Sequence, residues 1–229
     1  MRLPPYLAAA LLLVAAASPE AFAADRLITF EEAGLTAMAN SPGAAVPVAS
    51  RLHDQFLATF GVSFSSGSAF VAVVDHGCCT PSGTHIIGGT TAGGSLSYGT
   101  PITISFFDPA NPALFGVTDF VRIRGDFTSI AGTATMTAFG VAGNSLGSVT
   151  ANDNPLGVDL VLSVAGIHSV SLTQTSATIG LDNLEFDNVV GITAAVPEPE
   201  TYTLLLGGLA LVGWAARRRA RPACATAVP

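Results

Sequence analysis

The sequence predicts an all-β protein, an antiparallel β-sandwich with a jelly roll as its topology. Between residues 24 and 189, short runs rich in β-branched and aromatic side chains recur, and Gly, Asn, Asp and Pro punctuate them. Several runs alternate polar with apolar residues, which asks for half-buried sheet. Helical spacing of apolar residues is almost absent. Ten or so such runs point to two packed layers rather than a bundle.

In chain order the expected strands are 27–30, 62–65, 69–74, 102–107, 120–125, 133–141, 145–150, 158–164, 169–173 and 177–186. The alternation is clearest where Thr133, Thr135 and Thr137 face one way and Ala134, Met136 and Ala138 the other, and where Phe120, Arg122 and Arg124 oppose Val121 and Ile123. One helix is expected over 49–60, because Leu52, Phe56 and Phe60 recur every four residues. Residues 77–99, rich in Gly, Thr and Ser, read as a long surface excursion, and 190–196 as a short linker. A body of this length, about 170 residues, suits a single core.

The two ends read differently. Residues 1–23 combine Arg2, an apolar stretch from Leu7 to Ala17, and Ala21-Phe22-Ala23, the pattern of a secretory signal peptide cut after Ala23. Near the C-terminus, Val196-Pro197-Glu198-Pro199 precedes an apolar run over 202–216, which ends in Arg217, Arg218 and Arg219. The prolines keep their segment extended and accessible to another protein. Fifteen helical residues reach about 22 Å, short of the roughly 30 Å bilayer core, so the helix ends must snorkel or the bilayer must thin. The arginines belong on the cytoplasmic side. The expected organisation is therefore 1–23 signal peptide, 24–189 sandwich, 190–196 linker, 197–221 sorting signal and 222–229 cytoplasmic tail.

This ordered trio, with Val196, Pro197, Glu198 and Pro199 before an apolar helix and an arginine cluster, closely resembles the PEP-CTERM sorting signal of Gram-negative bacteria. The resemblance implies Sec export, transient anchoring in the inner membrane, and cutting near Pro-Glu-Pro by an exosortase, a membrane enzyme with its own cysteine nucleophile. It further implies a final place at the cell surface or in the extracellular matrix, often in biofilm-forming species. A plain C-terminal anchor is the other reading of the same residues.

A second resemblance is carried by Leu27-Ile28-Thr29-Phe30-Glu31, Phe60-Gly61-Val62-Ser63-Phe64 and Ile179-Gly180-Leu181-Asp182-Asn183-Leu184-Glu185-Phe186. These look like the first, early and last strands of galactose-binding-like jelly rolls in PEP-CTERM proteins. Such domains bring their first and last strands together, and carboxylates there often hold calcium. On that resemblance Glu31, Glu32 and Asp182 are candidate calcium ligands, the ion needing six to eight oxygens. The alternative is a plain turn at Asp182-Asn183 with solvated glutamates. No other cofactor is expected.

Charge narrows the partners. Residues 24–199 hold four arginines, no lysine and fourteen carboxylates, a formal charge of −10. That balance argues against nucleic acid and anionic polymers as direct electrostatic partners and is compatible with solubility or divalent cations.

Catalytic patterns are sparse. Gly143-Asn144-Ser145-Leu146-Gly147 fits G-x-S-x-G, with Asp159 and His168 following, but strand-like sequence on both sides makes it a hairpin turn rather than a nucleophile elbow. His76-Gly77-Cys78-Cys79 and His85 offer soft ligands for zinc or copper without C-x-x-C spacing. In an oxidising exterior Cys78 and Cys79 are candidates for a vicinal or interchain disulfide. The scattered Asp75, Asp108, Asp119, Asp126 and Asp187 define no hydrolytic pair by sequence. The only tryptophan, Trp214, lies in the apolar run, so no aromatic stripe for sugars is legible. The expectation is a non-enzymatic structural or adhesive protein of the extracellular matrix, with a polysaccharide-binding or polysaccharide-hydrolysing module as the alternative.

Overall fold

The computed structural model describes residues 25–32, 34–125, 132–152, 157–175 and 180–192, together with 208, 209 and 211. The signal peptide, the Pro-Glu-Pro segment and Arg217 to Arg219 lie outside the described residues, as does nearly all of the apolar run.

Fourteen strands follow one another: β1 (Arg26–Ile28), β2 (Met38–Ala39), β3 (Arg51–Leu52), β4 (Val62–Ser65), β5 (Val71–Asp75), β6 (His85–Gly88), β7 (Ile102–Asp108), β8 (Asn111–Gly125), β9 (Thr133–Phe139), β10 (Ser145–Asn152), β11 (Asp159–Ile167), β12 (Ser169–Gln174), β13 (Leu181–Phe186) and β14 (Val190–Gly191). They form an all-β sandwich. One layer runs β11-β8-β13-β6-β5 and the other β10-β9-β12-β7-β4, and the β7–β8 hairpin ties them at one corner. Counting only β6 to β13 as one to eight, the orders are 1-8-3-6 and 2-7-4-5, the two interleaved Greek keys of a jelly roll. First and last strands are indeed neighbours, β1 pairing antiparallel with β13.

The period of two produces the core. In β7 and β9 every second residue is buried, and Ile104, Phe106, Met136 and Ala138 meet Val121, Ile123, Leu184 and Phe186 from the facing layer. Phe186 is fully buried, its ring 5.6 Å from Phe106 and 6.4 Å from Phe60. The outward residues of the second layer are almost all hydroxylated. Ser65, Thr103, Ser171, Thr137 and Ser148 lie side by side across five strands. Thr135 with Thr150, and Thr137 with Ser148, share hydrogen bonds of 2.8 and 3.1 Å.

Four expectations change. The helix over 49–60 is a single turn at Leu57–Phe60, preceded by β3. Its four-residue spacing reported burial of Leu52 and Phe56 correctly, but Arg51 and Leu52 pair with β5 and the His53 carbonyl accepts from Phe64. The turn closes at Gly61, which has φ 70° and whose position admits no Cβ because the Phe107 carbonyl fills that space. The excursion over 77–99 contains β6 and packs Ile86, Leu96 and Tyr98 into a small second core with Val46, Ala72 and Val74. The strand expected at 120–125 begins at Asn111, its first half disguised by Pro112 and Gly116. Val190–Gly191, two residues of the supposed linker, pair with Val117 and Gly116 of β8.

Phe186→Ala is expected to cost about 3–5 kcal/mol in denaturant unfolding, whereas Thr137→Ala on the outer face should change stability by less than about 0.5 kcal/mol. Equal losses at the two positions would refute this assignment of inside and outside.

Candidate functional site

Sequence-selected residues Glu31, Asp182, Cys78, Cys79 and His85 all converge on the turn between β5 and β6. Phe30 follows β1 with φ 62°, a left-handed conformation that swings the chain so that Glu31 reaches this turn. Glu31 Oε1 accepts the N–H groups of Thr84 and His85, each at 2.6 Å. His85 Nδ1 lies 2.9 Å from the Phe30 carbonyl and 3.2 Å from Glu31 Oε2; with two acceptors facing it, this nitrogen carries the proton. Asp182, fully buried, accepts from the Ser82 N–H at 2.8 Å and hydroxyl at 3.0 Å through Oδ2, and from the Asn183 N–H at 2.6 Å through Oδ1. Burial pushes its carboxyl from 3.8 up to about 6, assisted by the Glu31 charge and opposed by these hydrogen bonds.

These contacts test the calcium expectation. Calcium needs six to eight oxygens, but here both Asp182 oxygens and Glu31 Oε1 are already aimed at N–H donors. Glu32 turns away to accept from Thr29 at 2.7 Å. Among the described residues no group of three His, Cys, Asp or Glu is placed to hold a metal. The donor set does not fit the ion; the two carboxylates anchor the turn instead. On that turn the sulfurs of Cys78 and Cys79 face each other as a vicinal disulfide.

The G-x-S-x-G residues do not assemble. Asp159 is gripped by Arg122 in a bidentate pair of 2.8 and 2.6 Å, which holds its carboxyl below the usual range. His168 Nδ1 donates to the Gly116 carbonyl at 3.0 Å, and Gly140 to Asn144 form a hairpin turn.

A second site went unrecognised in the sequence. Val117, Thr118 and Asp119 of β8 and Asp187, Asn188 and Val190 around β14 line an open cleft of about 300 Å³. Asp119 Oδ1 accepts the Gly166 N–H at 2.8 Å, and Asn188 donates to Asp25 at 2.7 Å. Burial raises the Asp187 carboxyl above its ordinary value, as do the charges of Asp25 and Asp119. Phe115, half exposed, lies two residues before Val117 on the same outward face, its ring 4.6 Å from that of His168. Residues 119 and 187 are distant in sequence; their segments are brought together by the pairing of Val117 with Val190 and of Val121 with Phe186, and by the Thr118 hydroxyl, which donates to the Asp187 carbonyl at 3.3 Å.

Residues 195–219 match the family model described as the PEP-CTERM protein-sorting motif. The chain carries a PEP-CTERM signal. It is thereby an exosortase-directed, exported protein processed at the cell envelope. Among the described residues no helix is long and apolar enough to cross a membrane. No curated protein matches the chain by sequence. Among solved structures it is similar to a DUF4465 family protein from Bacteroides caccae, with 13% identity over 70% of this chain and 99% of that one, TM-score 0.36. It is also similar to the enzymatically active domain of bacteriophage CBA120 tailspike protein 4, at 13% identity over 61% and 20% of the two chains, TM-score 0.28. The carbohydrate-binding module CBM28, specific for non-crystalline cellulose, gives 10% identity over 69% and 100%, TM-score 0.29.

Asp182 makes the pH dependence of this PEP-CTERM protein testable. A carboxyl with a folded-state value raised from 3.8 to about 6 stabilises the fold fully below pH 4, and that contribution is lost as pH rises through 6. Relative to the parent, D182N should therefore gain about 2–3 kcal/mol between pH 4 and pH 7. A difference that stays constant over this range in denaturant unfolding would show that Asp182 titrates normally.

Proposed function

We propose that the mature PEP-CTERM protein is a non-enzymatic component of the cell surface or extracellular matrix that holds neutral polysaccharide in the Asp119–Asp187 cleft. The observation carrying this reading is the cleft itself, lined by two carboxylates and an amide, with the half-exposed Phe115 farther along the same face of β8. Carboxylates and amides accept and donate to sugar hydroxyls, and Phe115 offers a flat face to the C–H side of a pyranose. Neutral chains are favoured because a body of formal charge −10 repels anionic ones. Export by way of the sorting signal would deliver this cleft to the compartment where such polymers lie.

A second reading rests on the two carboxyls that line one cleft, Asp187 being raised by burial and by the charges of Asp25 and Asp119, since glycoside hydrolysis uses a pair of carboxyl groups. Against it, Asp119 commits one oxygen to the Gly166 N–H.

Affinity electrophoresis through neutral and anionic polysaccharides separates these readings. Retention by a neutral polymer is expected, with F115A and D119N each weakening it about tenfold, as loss of one contact of about 1.4 kcal/mol implies. Retention unchanged by both variants would remove the cleft from the account, and release of new reducing ends would favour hydrolysis. The processing claim is checked by intact mass of extracellular protein: chains lacking Arg217 to Arg219 are expected in cells with exosortase, and chains still carrying them would contradict it.

A further inference from the structure

Cys78 and Cys79 are both exposed at the outer tip of the β5–β6 turn. The frame beneath them is made without the sulfurs. His76 donates its N–H to the Thr84 carbonyl at 2.8 Å, Gly77 donates to Asp75 Oδ1 at 2.9 Å, and Ser82, Thr84 and His85 are held by Asp182 and Glu31. Among the described residues, the non-glycine positions with positive φ are Phe30, Cys79 and Asn183. They come from three separate segments and meet here. Such outliers persist only where surrounding structure overdetermines them, so this turn is held in one pose with its sulfurs outward.

The chain has three cysteines, and the third, Cys224, lies beyond the sorting motif. If the Cys78–Cys79 bond opens, the body supplies no other thiol to capture either sulfur. The charge around the turn is negative, from Asp75, Glu31 and Asp182, with His76 and His85 flanking it. Among the described residues no arginine makes an ion pair with these carboxylates. Arg122 and Arg124 are engaged by Asp159 and Glu185, the latter even though Arg124 stands opposite Asp182 in the ladder. Arg51 lies over the Phe70 ring, and Arg26 occupies the far end of β1 from Phe30.

We infer that this turn is a thiol-exchange site selective for small neutral or cationic thiols. The incoming thiolate attacks one sulfur of the pair, a new S–S bond forms to that cysteine, and the Cys78–Cys79 bond breaks. The displaced cysteine sulfur leaves as a thiolate and takes up a proton from water. In reverse it attacks the mixed disulfide and expels the small thiol, so the modification is reversible and requires no separate oxidant. Anionic thiols are disfavoured because they must approach three carboxylates.

The test uses the full chain with Cys224→Ala, incubated with cysteamine or with mercaptoethanesulfonate at equal thiolate concentration, and followed by intact mass and thiol titration. One adduct per chain with one new titratable thiol is expected. Cysteamine should react about tenfold faster at low salt, and the ratio should shrink to about twofold at 1 M salt as the carboxylates are screened. Asp75→Asn should reduce the low-salt ratio while far-UV circular dichroism stays unchanged. The inference is overturned if the untreated chain already carries two free thiols, if no adduct forms with either reagent, or if the two reagents react equally at low salt.

Discussion

The fold depends on β8, which lies in one layer and joins the other through its hairpin with β7. Its fifteen residues pair with β7 at the hairpin, with β14 over the first half, and with β11 and β13 over the second. Phe120 and Val121 are both buried, so the alternation slips by one residue at that point. Before the slip the outward residues are Phe115, Val117 and Asp119; after it they are Arg122 and Arg124. The slip therefore separates the face that carries Phe115 and the acidic cleft from the ion pairs of Arg122 and Arg124.

Charge distribution follows from the same geometry. Two of the four arginines in the body pair with Asp159 and Glu185 beside β8, leaving Arg26 and Arg51 as its other arginines. The outer face of the second layer carries hydroxyls where other sheets carry charge. The net charge of −10 over residues 24–199 thus coexists with one broad uncharged face.

Carboxylates perform a structural task at the β5–β6 turn. Glu31, three residues past β1, and Asp182, in β13, are made neighbours by β1–β13 pairing, and both accept N–H groups from the same four-residue stretch, 82–85. The buried Asp182 carboxyl is held by the N–H groups of Ser82 and Asn183, and burial raises it despite them. The turn is consequently tied to strand pairing more than a hundred residues away in sequence.

Local chemistry in the chain determined a good deal by itself. Alternation at 133–138 and at 62–65 reflects a period of two that any half-buried strand must show, so those elements were legible before folding. The sorting motif was equally legible, because its parts lie in one contiguous segment, 195–219. Residues in contact through a sheet were not. Leu52 and Phe56 kept a helical spacing while belonging to a strand and a turn, since burial alone cannot say which backbone satisfies its hydrogen bonds. Asp119 and Asp187 are unremarkable singly; the antiparallel pairing of Val117 with Val190 places them on one cleft. Glu31 and Asp182 were correctly suspected of proximity, yet only tertiary structure decided that their partners are N–H groups, because the direction of a carboxylate is set by the turn packed against it.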